Sequence, residues 1–278
     1  MPSNILLIHC PDRSGLVYRI TDVIYRHNLN IVSNGEFVER QIGHFFMRTE
    51  FSGEFNKEIF LQDLTHSLPG DVAIKLSRKT KKDIIILATK EHHCLSDLLV
   101  RHTFNELHAR ILCVISNYRA LEELTLKFSV PFHFITHENK SREAHEGEIL
   151  KLIRKYDPEF LVLTKYMRIL SPGFVDLFPN RIINIHHSFL PAFIGANPYA
   201  QAYKRGVKII GATAHFVNNS LDEGPIISQN VIPVGHSHSA KEMAQAGHEV
   251  EKLVLANALS RVFNEQVFVY GNKTIIFD

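Results

Sequence analysis

The run Asn184-Ile185-His186-His187-Ser188-Phe189-Leu190-Pro191 leaves an apolar, strand-like stretch and offers polar side chains at alternate positions. On a strand, residues two apart share a face, so Asn184 and His186 converge while Ile185 packs on the other side and His187 alternates away. An amide N–H beside an imidazole is what a carbonyl oxygen needs as it becomes an oxyanion in acyl transfer. Further on, Thr213 and His215 share one face of another strand-like run, and Asp222 stands just before the Gly224-Pro225 turn. If that loop folds back over the first pair, Asp222 meets His186 and can orient its ring, raise its basicity or take a proton itself. Each set taken alone also fits polar residues capping a loop, or the ordinary turn chemistry of an Asp near Gly-Pro.

Other chemistry is weaker. There are 17 histidines, but none of His137-Glu138, His145-Glu146 and His248-Glu249 continues as His-Glu-x-x-His, and His236-Ser237-His238 has no third ligand by spacing. No metal site is expected. Cys10, Cys94 and Cys113 form no Cys-x-x-Cys pair and are odd in number, which argues against a disulfide framework and fits a reducing compartment. The loop Thr89 to Cys94 lacks glycine, and neither Gly-x-Gly-x-x-Gly nor a P-loop occurs, which lowers nucleotide readings. His92 and His93 in that loop read as polar residues of a surface turn.

These side chains need elements to hold them. Asn4 to Cys10 reads as a strand, broken by Pro11-Asp12-Arg13-Ser14-Gly15 before an amphipathic helix over Leu16 to His27. Strand-like runs over 31–39 and 44–51 flank Gly43, a helix is expected between Asn56 and Leu68, and Pro69-Gly70 ends it before a strand over 71–76. This βαββαβ order is the split ferredoxin-like arrangement. Ser77 to Asp83 is polar and charged, and is expected to be the linker between domains over residues 1–80 and 84–278. Beyond it, short apolar strands over 84–88, 111–115, 132–135, 160–163 and 182–185 alternate with helical stretches near 95–107, 121–128 and 146–156. The alternation predicts an α/β fold with a doubly wound, largely parallel sheet. Neighbouring β runs over 209–217 and 225–234 and a long helix near 240–264 complete the chain.

Composition agrees with two domains: 278 residues, at about 150 per domain, favour two over one. A net charge of +2 makes nucleic acid a poor partner. Without a leader-like start or a run of about 18 apolar residues, a soluble cytoplasmic protein is expected.

Asn184-Ile185-His186, Ser188, Leu190-Pro191 and Asp222-x-Gly224-Pro225, preceded by Tyr166-Met167-Arg168-Ile169-Leu170, resemble the signature of the folate-dependent formyltransferases. The resemblance runs from about residue 84 to the C-terminus. It implies a formyltransferase-like fold, catalytic roles for Asn184, His186 and Asp222, and folate binding by Met167, Arg168, Ile169 and Leu170 with Val217, Asn218 and Leu221. Thr213 and His215 are expected as supports behind them, with core packing an equal account. Two features depart from the family's transferases. The loop that holds the acceptor's phosphate is replaced by Glu91-His92-His93-Cys94, and the usual His-Pro-Ser is His186-His187-Ser188. Together with an added N-terminal domain, they resemble the family's hydrolytic branch, which releases formate and tetrahydrofolate from 10-formyltetrahydrofolate. An amine without a phosphate cradle is not positioned, and water becomes the nucleophile.

The resemblance implies that Asn184 donates to the formyl oxygen, protonated His186 stabilises the oxyanion, and Asp222 orients water and takes its proton. His186 and Asp222 can exchange these roles. No prosthetic group is implied, the folate being the substrate of an enzyme of one-carbon and purine metabolism. The alternatives are transfer to an amine such as glycinamide ribonucleotide, and a ligand sensor with little chemistry. The first domain resembles ACT domains, sensors that often bind amino acids between paired copies. Asp12, Gly15, Leu16 and Asn30 are the implied ligand residues, and a homo-oligomer is implied. Gly15 would let a carboxylate approach the N–H groups at the helix start, although assembly alone suits the same fold.

Overall fold

In the computed structural model, which describes residues 3–192 and 198–278, the chain separates into two units, one ending at Thr80 and the other running from Lys81 to Ile276. The first contains β1 (Ser3–Pro11), α1 (Leu16–Arg26), β2 (Asn30–Glu39), β3 (His44–Ser52), α2 (Lys57–Ser67) and β4 (Ala73–Arg78). Its antiparallel sheet has the order β2-β3-β1-β4. Leu6, Ile8 and Cys10 of β1 pack with Leu16, Ile20 and Val23 of α1 and with Phe60 and Leu64 of α2, so both helices cover one face. Asn56 starts α2 by accepting from the N–H groups of Glu58 and Ile59.

The expected linker over Ser77 to Asp83 shrinks to Lys79-Thr80-Lys81. Ser77 and Arg78 stay in β4, opposite Ile5 and Asn4, while Lys82 and Asp83 open the next strand. Charge does not mark a linker at these two positions: Lys82 is buried against Glu265 at 2.8 Å, and Asp83, only partly buried, accepts from the exposed Arg110 at 2.7 Å.

The second unit runs β5 (Lys82–Ala88), α3 (His93–Thr103), β6 (Ala109–Ser116), α4 (Glu122–Lys127), β7 (Phe132–Phe134), α5 (Arg142–Tyr156) and β8 (Phe160–Thr164). It continues as α6 (Pro172–Val175), β9 (Ile182–His186), α7 (Pro198–Arg205), β10 (Ile209–Phe216), β11 (Ile226–Pro233) and α8 (Ala240–Phe263). The sheet order is β11-β10-β9-β8-β5-β6-β7, with β5 to β9 parallel and β10 and β11 antiparallel. Ile84, Ile86 and Ala88 of β5 join the layer of α3 and α8, and Ile85 and Leu87 join that of α5 and α6. Burial on both faces is why β5 reads as an unbroken apolar run. Strand order reverses between β5 and β8, and in such sheets the crevice at the carboxyl ends of the reversing strands receives ligands. Short α6 and α7 and a closing hairpin, β12 (Val267–Tyr270) and β13 (Lys273–Ile276), were not legible in the sequence pattern. No helix among the described residues is long and apolar enough to cross a membrane.

Candidate active site

Asn184 and His186 lie at the carboxyl end of β9. Alongside, β10 runs antiparallel in a register that sets Thr213 opposite His186 and His215 opposite Asn184. The loop after β10 returns because Gly224 passes directly against the Phe216 carbonyl, where a Cβ would overlap it, and the Phe216 N–H donates to Pro225 O at 2.9 Å. Asp222 on this loop adopts a left-handed backbone with φ 57°, which Asp tolerates better than most residues. Its Oδ1 lies 3.3 Å from His186 Nδ1 and 3.8 Å from His215 Nε2.

The protonation pattern follows from these contacts. His215 Nδ1–H donates to Phe216 O at 2.9 Å, so its Nε2 accepts, and the atom of Asn184 facing it at 3.2 Å is the amide nitrogen. Burial, only partly opposed by the Phe216 carbonyl and Asp222, holds the His215 ring below its ordinary proton affinity, consistent with that neutral form. Among the described residues the second N–H of Asn184 has no partner and is available to a ligand. Burial works against charge on Asp222, but the hydrogen bond and charge of His186, aided by His215 and His187, prevail and keep the carboxyl below its usual value. With Nδ1 of His186 committed to Asp222, the buried Nε2 has no hydrogen-bond partner among the described residues.

Asn184, His186 and Asp222 share the lining of a cavity of ≈ 300 Å³ with Met167, Arg168, Ile169, Leu170, Val217, Asn218, Leu221 and His215. Met167, Ile169 and Leu221 are exposed by more than half, giving the cavity an apolar rim. Thr213 does not line it. Its hydroxyl donates to Ser188 O at 2.9 Å and accepts from Leu190 N at 3.0 Å and Gln229 Nε2 at 2.9 Å, tying down the segment after β9. His187 does not alternate away: β9 ends at His186, the period of two lapses, and the two rings stack at 5.0 Å. His187 also lines the cavity, and burial, reinforced by Lys165 and His186, pushes it down to about 4.

Behind this wall is a buried polar cluster that spacing alone concealed. His93 is not in a surface turn but is the buried first residue of α3, with Nε2 2.9 Å from Glu251 of α8, whereas His92 is exposed. Glu251 also accepts from Tyr199 at 2.6 Å and pairs with Lys165 Nζ at 3.3 Å. Burial disfavours the Glu251 charge, yet His93, Lys165 and Tyr199 together bring it down to about 2. Glu91, His93 and His248 place ligand atoms within 4.8 Å of one another. The two rings stack at 4.0 Å and 9°, however, so no point lies in both ring planes near both nitrogens, as metal coordination requires. Elsewhere, Glu146 accepts from Ser171 N at 2.8 Å and from its hydroxyl, anchoring the end of the 167–170 loop.

Because the folded Glu251 carboxyl titrates below its ordinary value of 4.5, its stabilising contribution is present above that value and fades as pH falls toward about 2. The urea midpoint of the wild type is therefore expected to fall more steeply between pH 5 and pH 3 than that of Glu251→Gln, which has no such proton to bind. Parallel slopes would show that Glu251 is not held ionised.

In the first unit, Gly15 lines an open cleft with Ser14, Tyr18, Arg19, Asp22 and Ser67. Of the other implied ligand residues, Leu16 is only 3% exposed because its side chain belongs to the core. Asp12 and Asn30 are engaged through their backbones with Gly43 and Ser52, and neither lines the cleft.

A family model described as formyl transferase matches residues 82–259. A formyltetrahydrofolate deformylase of Haemophilus influenzae is 53% identical over 273 residues, 98% of each chain, and one of Bacillus subtilis is 42% identical over 286 residues, 98% of this chain and 93% of that one. The crystal structure of a formyltetrahydrofolate deformylase from Pseudomonas syringae pv. tomato superposes with a TM-score of 0.96 at 37% identity, covering 100% of this chain and 95% of that one. A glycinamide ribonucleotide transformylase 1 from Symbiobacterium toebii superposes with a TM-score of 0.69 at 28% identity, over 72% of this chain and 95% of that one.

Proposed function

Since this chain belongs to the formyl transferase family and, within it, to the formyltetrahydrofolate deformylases, we propose that the cavity at the ends of β9 and β10 is where it hydrolyses 10-formyltetrahydrofolate, with Asn184, His186 and Asp222 performing the chemistry. The enzyme converts its substrate and water to formate and tetrahydrofolate. The observation that carries the site assignment is the meeting of those three side chains, from two strands and a loop, inside one apolar-rimmed cavity.

The pterin packs against Met167, Ile169 and Leu221, leaving the formyl group beside Asn184. Water attacks the formyl carbon as His186 Nε2 takes its proton, and the Asn184 amide donates to the developing oxyanion. Asp222, ionised and bonded to Nδ1, fixes the ring and offsets its positive charge. His186 then returns the proton to N10, the C–N bond breaks, and formic acid leaves and ionises. Side chains and water complete this sequence, with the folate entering as substrate rather than as a resident group. The cytoplasm, where folates and reduced cysteines are found together, is the compartment this reading favours.

In the first unit, Arg19 and Asp22, the latter also paired with Arg26 at 3.0 Å, offer opposite charges in the cleft beside Gly15, which supports an amino acid as effector, while a homo-oligomer rests on the resemblance of this unit to ACT domains.

Formate release from 10-formyltetrahydrofolate without any amine acceptor, repeated with a panel of amino acids, tests both readings. Steady release is expected, and its absence would remove the hydrolytic assignment. His215→Phe fills the same space but offers Asn184 no acceptor, so kcat is expected to fall about 10- to 100-fold with KM little changed. A fall in kcat that is accounted for by a fraction of unfolded protein at the assay temperature, read from the Tm, would assign His215 to packing alone.

A further inference from the structure

We propose that the buried cluster of Lys165, Glu251 and His93, closed by the half-buried Tyr199, selects water as the nucleophile, because it fills with the chain's own side chains the crevice beside the formyl group that a second substrate would need. The proposal rests on hydrolysis in the adjoining cavity.

The first observation is topological. His93 follows β5 and Lys165 follows β8, the two neighbouring strands at which the sheet order reverses. That crevice is where an open α/β sheet ordinarily takes a ligand. Here it is packed shut, the side chains of Lys165, Glu251 and His93 being 5%, 0% and 6% exposed.

The second is electrostatic. Glu251 is the hub, receiving Lys165, His93 and Tyr199 at 3.3, 2.9 and 2.6 Å. An amine entering this space would have to separate charges that have no water to replace their partners. A water molecule at the formyl carbon displaces nothing.

The third is mechanical. A Cβ at position 247 would overlap the Tyr199 ring, so Gly247 is what allows Tyr199 to lie against α8 and reach Glu251. Lys165 adopts a left-handed backbone with φ 57°, and its carbonyl accepts from the buried Thr89 hydroxyl at 2.7 Å. Two elements are thus built around the cluster rather than merely near it. Its inner edge is the wall of the cavity itself, since Lys165 lines that cavity beside Asn184, His186 and His187.

The experiment supplies 10-formyltetrahydrofolate with glycinamide, a small primary amine, and measures formate and N-formylglycinamide in the same reaction. In the transfer step the amine nitrogen bonds to the formyl carbon, the C–N10 bond breaks, and the amine's proton passes to N10. Wild type should yield formate almost alone. Lys165→Ala/Glu251→Ala removes both charges together, so neither is stranded, and should raise the ratio of amide to formate by about tenfold or more. Lys165→Met/Glu251→Leu refills the space without charge and should restore the wild-type ratio.

An unchanged ratio in an opened variant that keeps its circular dichroism would overturn the proposal, as would substantial amide formation by wild type or a refilled variant as permissive as the opened one. Should the double alanine variant not fold, Tyr199→Ala opens the cluster with both charges retained and is read by the same ratio. Wild type that releases no formate under any condition removes the underlying hydrolytic reading as well, whereas an unchanged ratio in an active enzyme removes only the water-selection role.

Discussion

Asn184→Ala is expected to keep its fold and lose about 10²- to 10³-fold in kcat, equivalent to roughly 2.7 to 4 kcal/mol of transition-state stabilisation. The loss falls on kcat because an amide N–H facing a neutral formyl oxygen gains most of its strength only when that oxygen becomes an oxyanion. Stability should change little. Among the described residues the amide's side-chain contact is one hydrogen bond to His215 Nε2, while the core side chains around β9, Ile183 and Ile185, remain in place. Formate release at saturating folate, read beside a thermal melt, checks both halves. Near-normal turnover by a folded variant would remove Asn184 from the oxyanion role.

Asp222→Asn is expected to cost about 10²- to 10⁴-fold in kcat, the range associated with loss of acid–base function. An asparagine occupies the same volume but cannot balance a positive charge on His186. The pH dependence gives the sharper test. The carboxyl sits below its ordinary value of 3.8, so Asp222 stays ionised from pH 7 down to pH 5 and contributes no loss of its own there. The variant should therefore be depressed across that whole interval rather than only at its acid end. A deficit that vanished at either limit would show that the charge of Asp222 is not what His186 uses.

The pairing of Asn184 with His186 was legible because a period of two needs only that a strand exist. The same reasoning failed one residue later, since nothing in the sequence marks His186 as the last residue of β9, and His187 turns to stack on its neighbour. Opposition of Thr213 to His186 and of His215 to Asn184 depends on the register between β9 and β10, which period alone does not specify. The Lys165–Glu251 pair was hidden by distance along the chain. It did leave a trace: Glu251 lies on the buried stripe of α8 among Val250, Val254 and Leu255, where a charged residue requires a partner. The polar stretch around residues 77–83 does contain the division between the units, after Thr80, but charge overstates its length, because Lys82 and Asp83 already belong to a strand, with partners supplied by Glu265 and Arg110.

The Thr213 hydroxyl, with one hydrogen and two lone pairs, uses all three: it gives to Ser188 O and receives from Leu190 N and Gln229 Nε2. A valence filled so completely narrows the alphabet available at this position to the two hydroxyl-bearing aliphatic residues. Valine, identical in outline, would leave a carbonyl and two N–H groups without their shared atom at the point where the chain turns away from His186. Drift elsewhere on β10 can be absorbed by repacking, but here the permitted spellings are threonine and serine.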